Sequence, residues 1–163
     1  MTPKVVSLWY RPPEILFGES IYDESVDNWG AGLVIAELCL GEPLLKGSSE
    51  LNQIQKIISM FGIPPAGIFP GIDDSKFGKY TDSSSVNEDM SSYRNDCTYA
   101  FMCKFEAVVH SSSINGLIKF LLGFLRYDFK QRVSSSEGLK STYFTDHPLP
   151  LSPRLMPTFP TRH

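Results

Sequence analysis

Apolar residues dominate three separate segments of the chain in patterns typical of helices, a capping signature marks a fourth, and together they predict a mainly α-helical domain. The segment from about Val26 to Leu40 is apolar on several sides, which is typical of a helix buried in a core, and Gly41 is a suitable helix end. Ser49 can cap a second helix that ends at Gly62, with its apolar residues at positions 51, 54, 57, 58 and 61.

Two more helices are predicted nearer the C-terminus. Apolar positions 114, 117, 118, 121, 122 and 125 fit a third helix, and Ser134 with Glu137 forms a capping-box signature for a short fourth one. Residues 3–11 mix β-branched and aromatic types and run into two prolines, so we expect extended structure there. Residues 65–100 are rich in Ser, Asp, Asn and Gly, which indicates a long irregular loop.

Composition narrows the class of protein. The 163 residues suffice for one domain, and 42% hydrophobic with 20% charged residues is typical of a globular chain. A net charge of −3 gives no electrostatic case for nucleic acid or for an anionic membrane, and no apolar run reaches the roughly 18 residues of a membrane span. Three cysteines without C-x-x-C spacing predict free thiols in an intracellular protein, nuclear or cytoplasmic. The three histidines lack ligand spacing, so no metal site is expected.

Five sequence blocks occur in an order that points to one family. Residues 5–14 read V-V-S-L-W-Y-R-P-P-E, which resembles V-V-T-L-W-Y-R-A-P-E at the end of the activation segment in cyclin-dependent protein kinases of the CMGC group. Residues 27–32 (D-N-W-G-A-G) resemble D-x-W-S-x-G, which opens helix αF. Residues 47–57, followed by F-G-I-P at 61–64, are similar to the αG segment of the family. Residues 127–134 are similar to its Y-D-P-x-K-R-x-[ST] block. The opening M-T-P-K-V-V and the C-terminal tail most resemble the PISSLRE/PITSLRE branch.

The resemblance implies a mainly α fold: the lower half of a protein-kinase C-terminal lobe, formed by the end of the activation segment and helices αF–αI, with the N-terminal lobe and the catalytic loop absent. Residues 1–144 are then a partial kinase domain, and 145–163 are a Pro-rich extended tail. In the family the catalytic-loop region wraps αF. We therefore expect an exposed apolar flank on residues 26–40 that binds a partner or aggregates, and marginal stability.

Two residues that are far apart in sequence are expected to form an ion pair. Glu14 resembles the glutamate of the A-P-E motif, and Arg132 resembles the arginine that pairs with it. A guanidinium can hold a carboxylate through two hydrogen bonds while buried, so the pair is expected to be structural; ordinary surface charges are the alternative. The chain departs from the family pattern at Pro12, Gly30, Ser7 and Phe129.

The resemblance also implies a substrate pocket. Val5, Val6, Ser7 and Arg11 match residues that shape a shallow pocket for the proline after the phosphorylated residue, and proline suits it because it lacks an N–H. A short strand with a surface arginine is the alternative. Thr2 matches the phosphorylated threonine of the activation segment, although a disordered threonine at a terminus is the default.

Asp27 matches an aspartate that braces the active site by accepting hydrogen bonds from the catalytic loop. Without that loop, we expect its carboxylate to lie near the core without its donors, which is costly for a buried charge. Ser7 meets the same difficulty, because its family counterpart contacts the catalytic aspartate and lysine.

The family reaction is ATP-dependent phosphorylation of serine or threonine followed by proline. None of the family's catalytic residues is expected in this chain: it has no glycine-rich loop, ATP-binding lysine, catalytic aspartate or metal-binding aspartate. ATP, magnesium, a cyclin and protein substrates are implied only for the complete enzyme. The alternatives are a non-catalytic module that competes for kinase substrates or partners, and a gene remnant without function.

Overall fold

The computed structural model describes residues 7–19, 22–65, 67–69, 101–106, 114–146, 149 and 151–155, and within these ranges the chain is helical without a strand. Its named helices are α1 Pro13–Leu16, α2 Ser25–Leu40, α3 Glu50–Phe61, α4 Ile114–Phe124 and α5 Ser135–Gly138. Residues 101–106 are also helical. Short 3-10 turns span Leu8–Tyr10, Phe129–Gln131, Thr142–Phe144 and Pro153–Leu155. In this part of the chain no helix has the length and apolarity needed to cross a bilayer.

The predicted helix ends are confirmed. Gly41 ends α2 in the left-handed region at φ 75°, where a glycine avoids a steric penalty. The Ser49 hydroxyl accepts a hydrogen bond from the Asn52 N–H at 3.2 Å and caps α3. Ser134 and Glu137 form the complete capping box of α5. The mainly α fold was therefore predictable from the sequence.

Helix α2 packs against α4 at the centre of the core, and Gly32 permits their close approach. A Cβ atom at Gly32 would lie 2.8 Å from the Phe124 Cβ and 3.0 Å from the Leu125 Cδ2, distances that packed atoms do not tolerate. Sixteen of the described residues are buried in the core around this contact, among them Trp29, Leu33, Ala36, Ile57, Phe101, Phe105, Leu117 and Leu121.

Helix α2 is not buried on all of its apolar sides. Val34 is 46% exposed and Leu38 is 78% exposed, so an apolar flank faces solvent. The exposed apolar flank expected on residues 26–40 is therefore seen at these two side chains, and the expectation from the apolar pattern that the helix is buried on all sides is wrong there. In α3 the predicted apolar face is also adjusted, since Leu51 is exposed and Met60 is buried.

A second, smaller cluster joins α1, α3 and the segment after α4. Ile54, Ile58 and Phe69 are buried together, and the Phe69 ring lies 5.0 Å from that of Phe17. The Tyr127 ring stands edge-on to Phe69, and the Tyr127 hydroxyl donates a hydrogen bond to the Gly62 carbonyl oxygen at 2.5 Å.

Within the described residues 7–11, the extended structure predicted for residues 3–11 is wrong for Leu8–Tyr10 and right for Arg11. Leu8–Tyr10 forms a 3-10 turn, in which the Tyr10 N–H donates to the Ser7 carbonyl oxygen at 3.1 Å. Extended backbone begins only at Arg11 and Pro12, since the proline restriction acts on the residue just before each ring. The predicted loop falls mostly on residues 70–100, outside the described residues. In the predicted tail, the described side chains of Leu149, Leu151 and Leu155 are exposed.

Candidate functional site

The candidate site is the W-Y-R-P-P-E segment, residues 9–14, where it meets α3. The 3-10 turn presents Trp9 towards the loop before α3, and Pro12 and Pro13 fix the entry into α1. Proline is well placed at the first helical position, because the N–H that it lacks has no partner inside the helix. The segment thus has a defined backbone path between the turn and the buried Glu14.

Three hydrogen bonds connect Trp9, Gly47 in the loop before α3, and Gln53 in α3, and we call this set of residues the Trp9 junction. The Trp9 Nε1–H donates to the Gly47 carbonyl oxygen at 2.9 Å. The Gln53 amide nitrogen donates to the Trp9 carbonyl oxygen at 3.0 Å, and its amide oxygen accepts from the Gly47 N–H at 2.8 Å. Gln53 is fully buried, and water has no access to its amide. These two hydrogen bonds therefore satisfy both the amide nitrogen and the amide oxygen.

The Trp9 junction requires a glycine at position 47. A Cβ atom there would lie 2.2 Å from the Gln53 Oε1 and 2.8 Å from the Gln53 Cα. Because one of these atoms belongs to the helix backbone, a rotamer change of Gln53 alone cannot remove the clash.

Arg11 continues the contact with α3. Its guanidinium donates to a Glu50 carboxylate oxygen at 2.6 Å. The Arg11 side chain is only 10% exposed, whereas that of Glu50 is 64% exposed. The Arg11 guanidinium is therefore largely enclosed by protein, while the Glu50 carboxylate stays hydrated. The surrounding protein and this hydrogen bond together fix the position of the guanidinium.

Tyr10 lies on the other side of the turn and contacts α2. Its hydroxyl donates to a Glu37 carboxylate oxygen at 2.5 Å. This hydrogen bond raises the pKa of Tyr10, and burial and the negative charge of Glu37 act in the same direction, because all three disfavour the phenolate.

Glu14 and Arg132 form the expected ion pair. The two guanidinium NH2 groups donate to the two carboxylate oxygens at 2.6 Å each, and both side chains are fully buried. The Arg132 Nε–H donates to the Arg126 carbonyl oxygen at 2.8 Å, and an NH1 proton reaches the Ser25 carbonyl oxygen at 3.1 Å.

The Arg132 guanidinium also lies 5.1 Å above the Trp29 ring, close enough for a cation–π interaction. Every nitrogen of this guanidinium has a hydrogen-bond acceptor. The buried charge is thus neutralised and solvated by protein groups, which is the condition under which burial of an ion pair is tolerated.

Asp27 is not buried. It lies in the first turn of α2 with its side chain exposed to solvent. The expectation that its carboxylate lies near the core without hydrogen-bond donors is therefore wrong. Water solvates the charge, and the positive end of the helix dipole favours an acidic residue at this position.

The structure describes few contacts for the remaining predicted site residues. Ser7 is exposed, and its carbonyl oxygen, not its hydroxyl, makes the contact described for the turn. Val5, Val6 and Thr2 lie outside the described residues. The structure therefore joins Arg11 to α3 and Glu14 to Arg132, and it gives no arrangement for the valines of the predicted pocket.

Sequence reasoning missed Gly47, Gln53, Glu37 and Glu50 as members of the site. Gln53 carried a usable signal, because it is a polar residue four positions before the buried Ile57 and so shares its helix face. A buried amide on a helix face indicates a hydrogen-bond partner from another segment. The two glutamates carried no signal, since acidic residues on exposed helix faces are common.

The described residues contain no group of three or more His, Cys, Asp or Glu that could hold a metal ion. The site as described can position a backbone segment and an arginine.

Comparison with known proteins agrees with this architecture. The family model described as "Protein kinase domain" matches residues 1–144. The chain is 40% identical to Cyclin-dependent kinase 10 of Mus musculus over 160 residues, which are 98% of this chain and 40% of that protein. It is 39% identical to the Homo sapiens kinase of that name with the same coverage. It is 35% identical to Cyclin-dependent kinase 11B of Mus musculus over 99% of this chain and 19% of that protein.

Two solved structures share the fold at 32% sequence identity and a TM-score of 0.68 each. One is the CAK complex from Chaetomium thermophilum bound to ATP-gamma-S, where the match covers 93% of this chain and 43% of that chain. The other is the yeast RNA Pol II CTD kinase CTDK-1 complex, with 92% and 46% covered. The chain thus spans about 40% of the length of the first of these relatives. The chain belongs to the protein kinase domain family, in its cyclin-dependent branch, with Cyclin-dependent kinases 10 and 11 among its most similar relatives.

Proposed function

We propose that the chain provides the substrate-side half of a cyclin-dependent-type serine/threonine protein kinase domain. The observation that supports this most is the fixed W-Y-R-P-P-E segment, which the Trp9 junction holds to α3 and the Glu14–Arg132 pair holds to the core. A kinase must present a substrate segment in one register, and a rigid surface lined by this segment is suited to that task.

The family reaction assigns a role to this surface. Phosphorylation of serine or threonine followed by proline requires a pocket that accepts a residue without an N–H, and by resemblance Val5, Val6, Ser7 and Arg11 contribute to it. The enclosed Arg11 guanidinium, fixed by Glu50, supports the assignment of Arg11 as the residue that holds this backbone in place.

We further propose that the isolated 163-residue chain transfers no phosphate. It contains no G-x-G-x-x-G loop, no H-R-D and no D-F-G, and D-F-K at 128–130 belongs to the 3-10 turn after α4. ATP, magnesium, protein substrates and a cyclin are assigned to the complete enzyme. The cyclin is supported by the names of the matched kinases. An intracellular site, nuclear or cytoplasmic, is supported by the free thiols of Cys39 and Cys103.

A non-catalytic binding module is the second candidate function. Its support is the exposed apolar flank of α2, where Val34 and Leu38 face solvent. Such a flank is suited to contact with another polypeptide and favours aggregation when it stays uncovered. A gene remnant without function is the third possibility, and it predicts neither selective binding nor activity.

A chimera separates these possibilities. These 163 residues would replace the aligned 160 residues of mouse Cyclin-dependent kinase 10, and phosphate transfer would be measured with a Ser-Pro peptide and a Ser-Ala peptide. We expect transfer to the Ser-Pro peptide only, while the 163-residue chain alone shows none. With a cyclin supplied, a folded chimera that binds ATP but phosphorylates neither peptide contradicts the kinase assignment and leaves the binding module and the gene remnant.

A further inference from the structure

A basic cleft of about 650 Å³ lies between α4, residues 130–133 and the segment that includes α5. All of its lining residues belong to the described part of the chain, and none of them is in the W-Y-R-P-P-E segment. Its charged side chains are Lys119 from α4, Lys130, Arg132, Glu137 from α5, and Lys140. The cleft is thus distinct from the candidate functional site, although Arg132 in its lining forms the ion pair with Glu14 of that site.

The basic cleft carries an excess of positive charge in a chain whose net charge is −3. Glu14 neutralises Arg132, so three lysines stand against one glutamate. The Glu137 carboxylate already accepts hydrogen bonds from the Ser134 N–H at 3.0 Å and the Ser134 hydroxyl at 2.7 Å. The three lysine side chains are exposed, and none of the ion pairs formed among described residues includes them. The excess of two positive charges is therefore available to a ligand.

The shape of the basic cleft suits a small charged group on a peptide. Gly116 leaves its rim open, because a Cβ atom there would meet nothing within 4 Å. The floor is closely packed: a Cβ atom at Gly123 would lie 2.9 Å from the Val133 Cγ2, and one at Gly138 would lie 2.5 Å from the Phe124 Cζ. The side chain of Thr142 adds a neutral hydroxyl to the lining.

We propose that the basic cleft binds a phosphorylated segment of a protein. A phosphoserine or phosphothreonine carries a charge of about −1.5 to −2 at pH 7, which matches the local excess, and its oxygens are strong acceptors for lysine ammonium groups. A nucleic acid strand fits less well, because Phe120 is buried in the floor and the lining offers no exposed aromatic ring on which bases could stack. The cleft would allow the domain to recognise a protein that is already phosphorylated, whichever kinase modified it.

The test uses the whole 163-residue chain and a fluorescent phosphoserine peptide with alanine and glycine flanks. Anisotropy titrations compare this peptide with its unphosphorylated form at low and physiological salt. We expect the phosphopeptide to bind at least about tenfold more tightly, and each of Lys119→Glu, Lys130→Glu and Lys140→Glu to weaken it by about tenfold, the value of one charge-assisted hydrogen bond. Lys56→Glu changes the net charge equally on the exposed face of α3 and should leave affinity within about twofold.

Several results would overturn the proposal. Equal losses of phosphopeptide affinity in Lys56→Glu and in the cleft variants would mean non-specific electrostatic attraction. Equal affinity for the phosphorylated and unphosphorylated peptides would exclude phosphate recognition. Displacement of the peptide by inorganic phosphate at the concentration of the peptide's own Kd would show that the segment contributes nothing. Tighter binding of a short duplex DNA than of the phosphopeptide would replace the proposed partner with a nucleic acid. Circular dichroism of each variant establishes that lost binding is not lost folding.

Discussion

Two arginine–glutamate pairs in this chain have equal lengths and unequal surroundings. Both Arg132–Glu14 and Arg11–Glu50 have an N–O distance of 2.6 Å. The first pair is fully buried, whereas Glu50 in the second is 64% exposed. The N–O distance therefore does not decide how much an ion pair contributes to the free energy of unfolding. That contribution depends on the cost of removing one partner, which is large where water cannot solvate the charge that remains. The buried pair fixes the fold, and the surface pair fixes the position of one side chain.

The buried pair should show the largest effect when one partner is removed. Arg132→Met leaves the Glu14 carboxylate buried without a counter-charge, so we expect a loss of about 3–5 kcal/mol in the free energy of unfolding. Urea unfolding followed by circular dichroism measures it, with Arg132→Met/Glu14→Leu as the control, since removal of both charges restores much of the stability. A loss below about 1 kcal/mol in the single variant would show that the pair does not hold the fold.

The Trp9 junction should be broken by one methyl group. Gly47→Ala places a Cβ atom 2.2 Å from the Gln53 Oε1, so we expect a loss of about 1–3 kcal/mol, typical of overpacking. Gly30→Ala is the matched control, because its Cβ atom meets only the Tyr10 carbonyl oxygen, at 4.0 Å, and helix propensity favours alanine by roughly 1 kcal/mol. Thermal melts of both variants should therefore move in opposite directions. A shared direction would contradict the packing at position 47.

The surface pair should show a small effect that depends on salt. Glu50→Gln keeps the side-chain volume and removes the charge, and we expect a loss of less than about 1 kcal/mol, because the exposed carboxylate is screened by solvent. The loss should shrink further at 1 M salt, where the Debye length is about 3 Å. Urea unfolding at low and high salt provides the measurement, and a loss as large as that of Arg132→Met would remove the distinction between the pairs.

The Tyr10–Glu37 hydrogen bond should make the free energy of unfolding depend on pH in the alkaline range, where it is lost. The pKa of Tyr10 is raised in the folded state above its ordinary value of 10.0, first by the hydrogen bond to Glu37. The folded state therefore keeps its proton longer than the unfolded state. The contribution of this group is fully present below pH 10.0 and is lost as the pH rises through the folded pKa. Tyr10→Phe should flatten this part of the stability curve, which urea midpoints between pH 8 and pH 11 would record; an unchanged slope would contradict the contact.

Much of the helical architecture was predictable because its signals are local. The Gly41 and Ser49 ends and the Ser134 capping box depend on residues within one or two turns, and the structure has them all. The 3-10 turn at Leu8–Tyr10 was not predictable in this way. Its Trp9 side chain bonds to Gly47, 38 positions away, and tertiary contact outweighed the β propensity of the segment.

The candidate site was predictable only where a motif joined distant residues. Glu14 and Arg132 could be matched because both lie in recognisable blocks. Gln53 and Glu50 could not, since their partners come from another segment and no spacing rule connects them. The exposure of Asp27 depended on which elements pack near the start of α2, which no pattern within the helix encodes.

The separation of 118 positions between Glu14 and Arg132 also has a consequence for folding during synthesis on the ribosome. On a ribosome, the glutamate emerges long before its arginine is synthesised, so the early chain must keep this carboxylate in water and α1 undocked. A loop this long closes late and slowly. The nascent chain is therefore expected to depend on chaperones until residue 132 has left the exit tunnel, and a premature stop codon before that point should yield a product that the cell degrades.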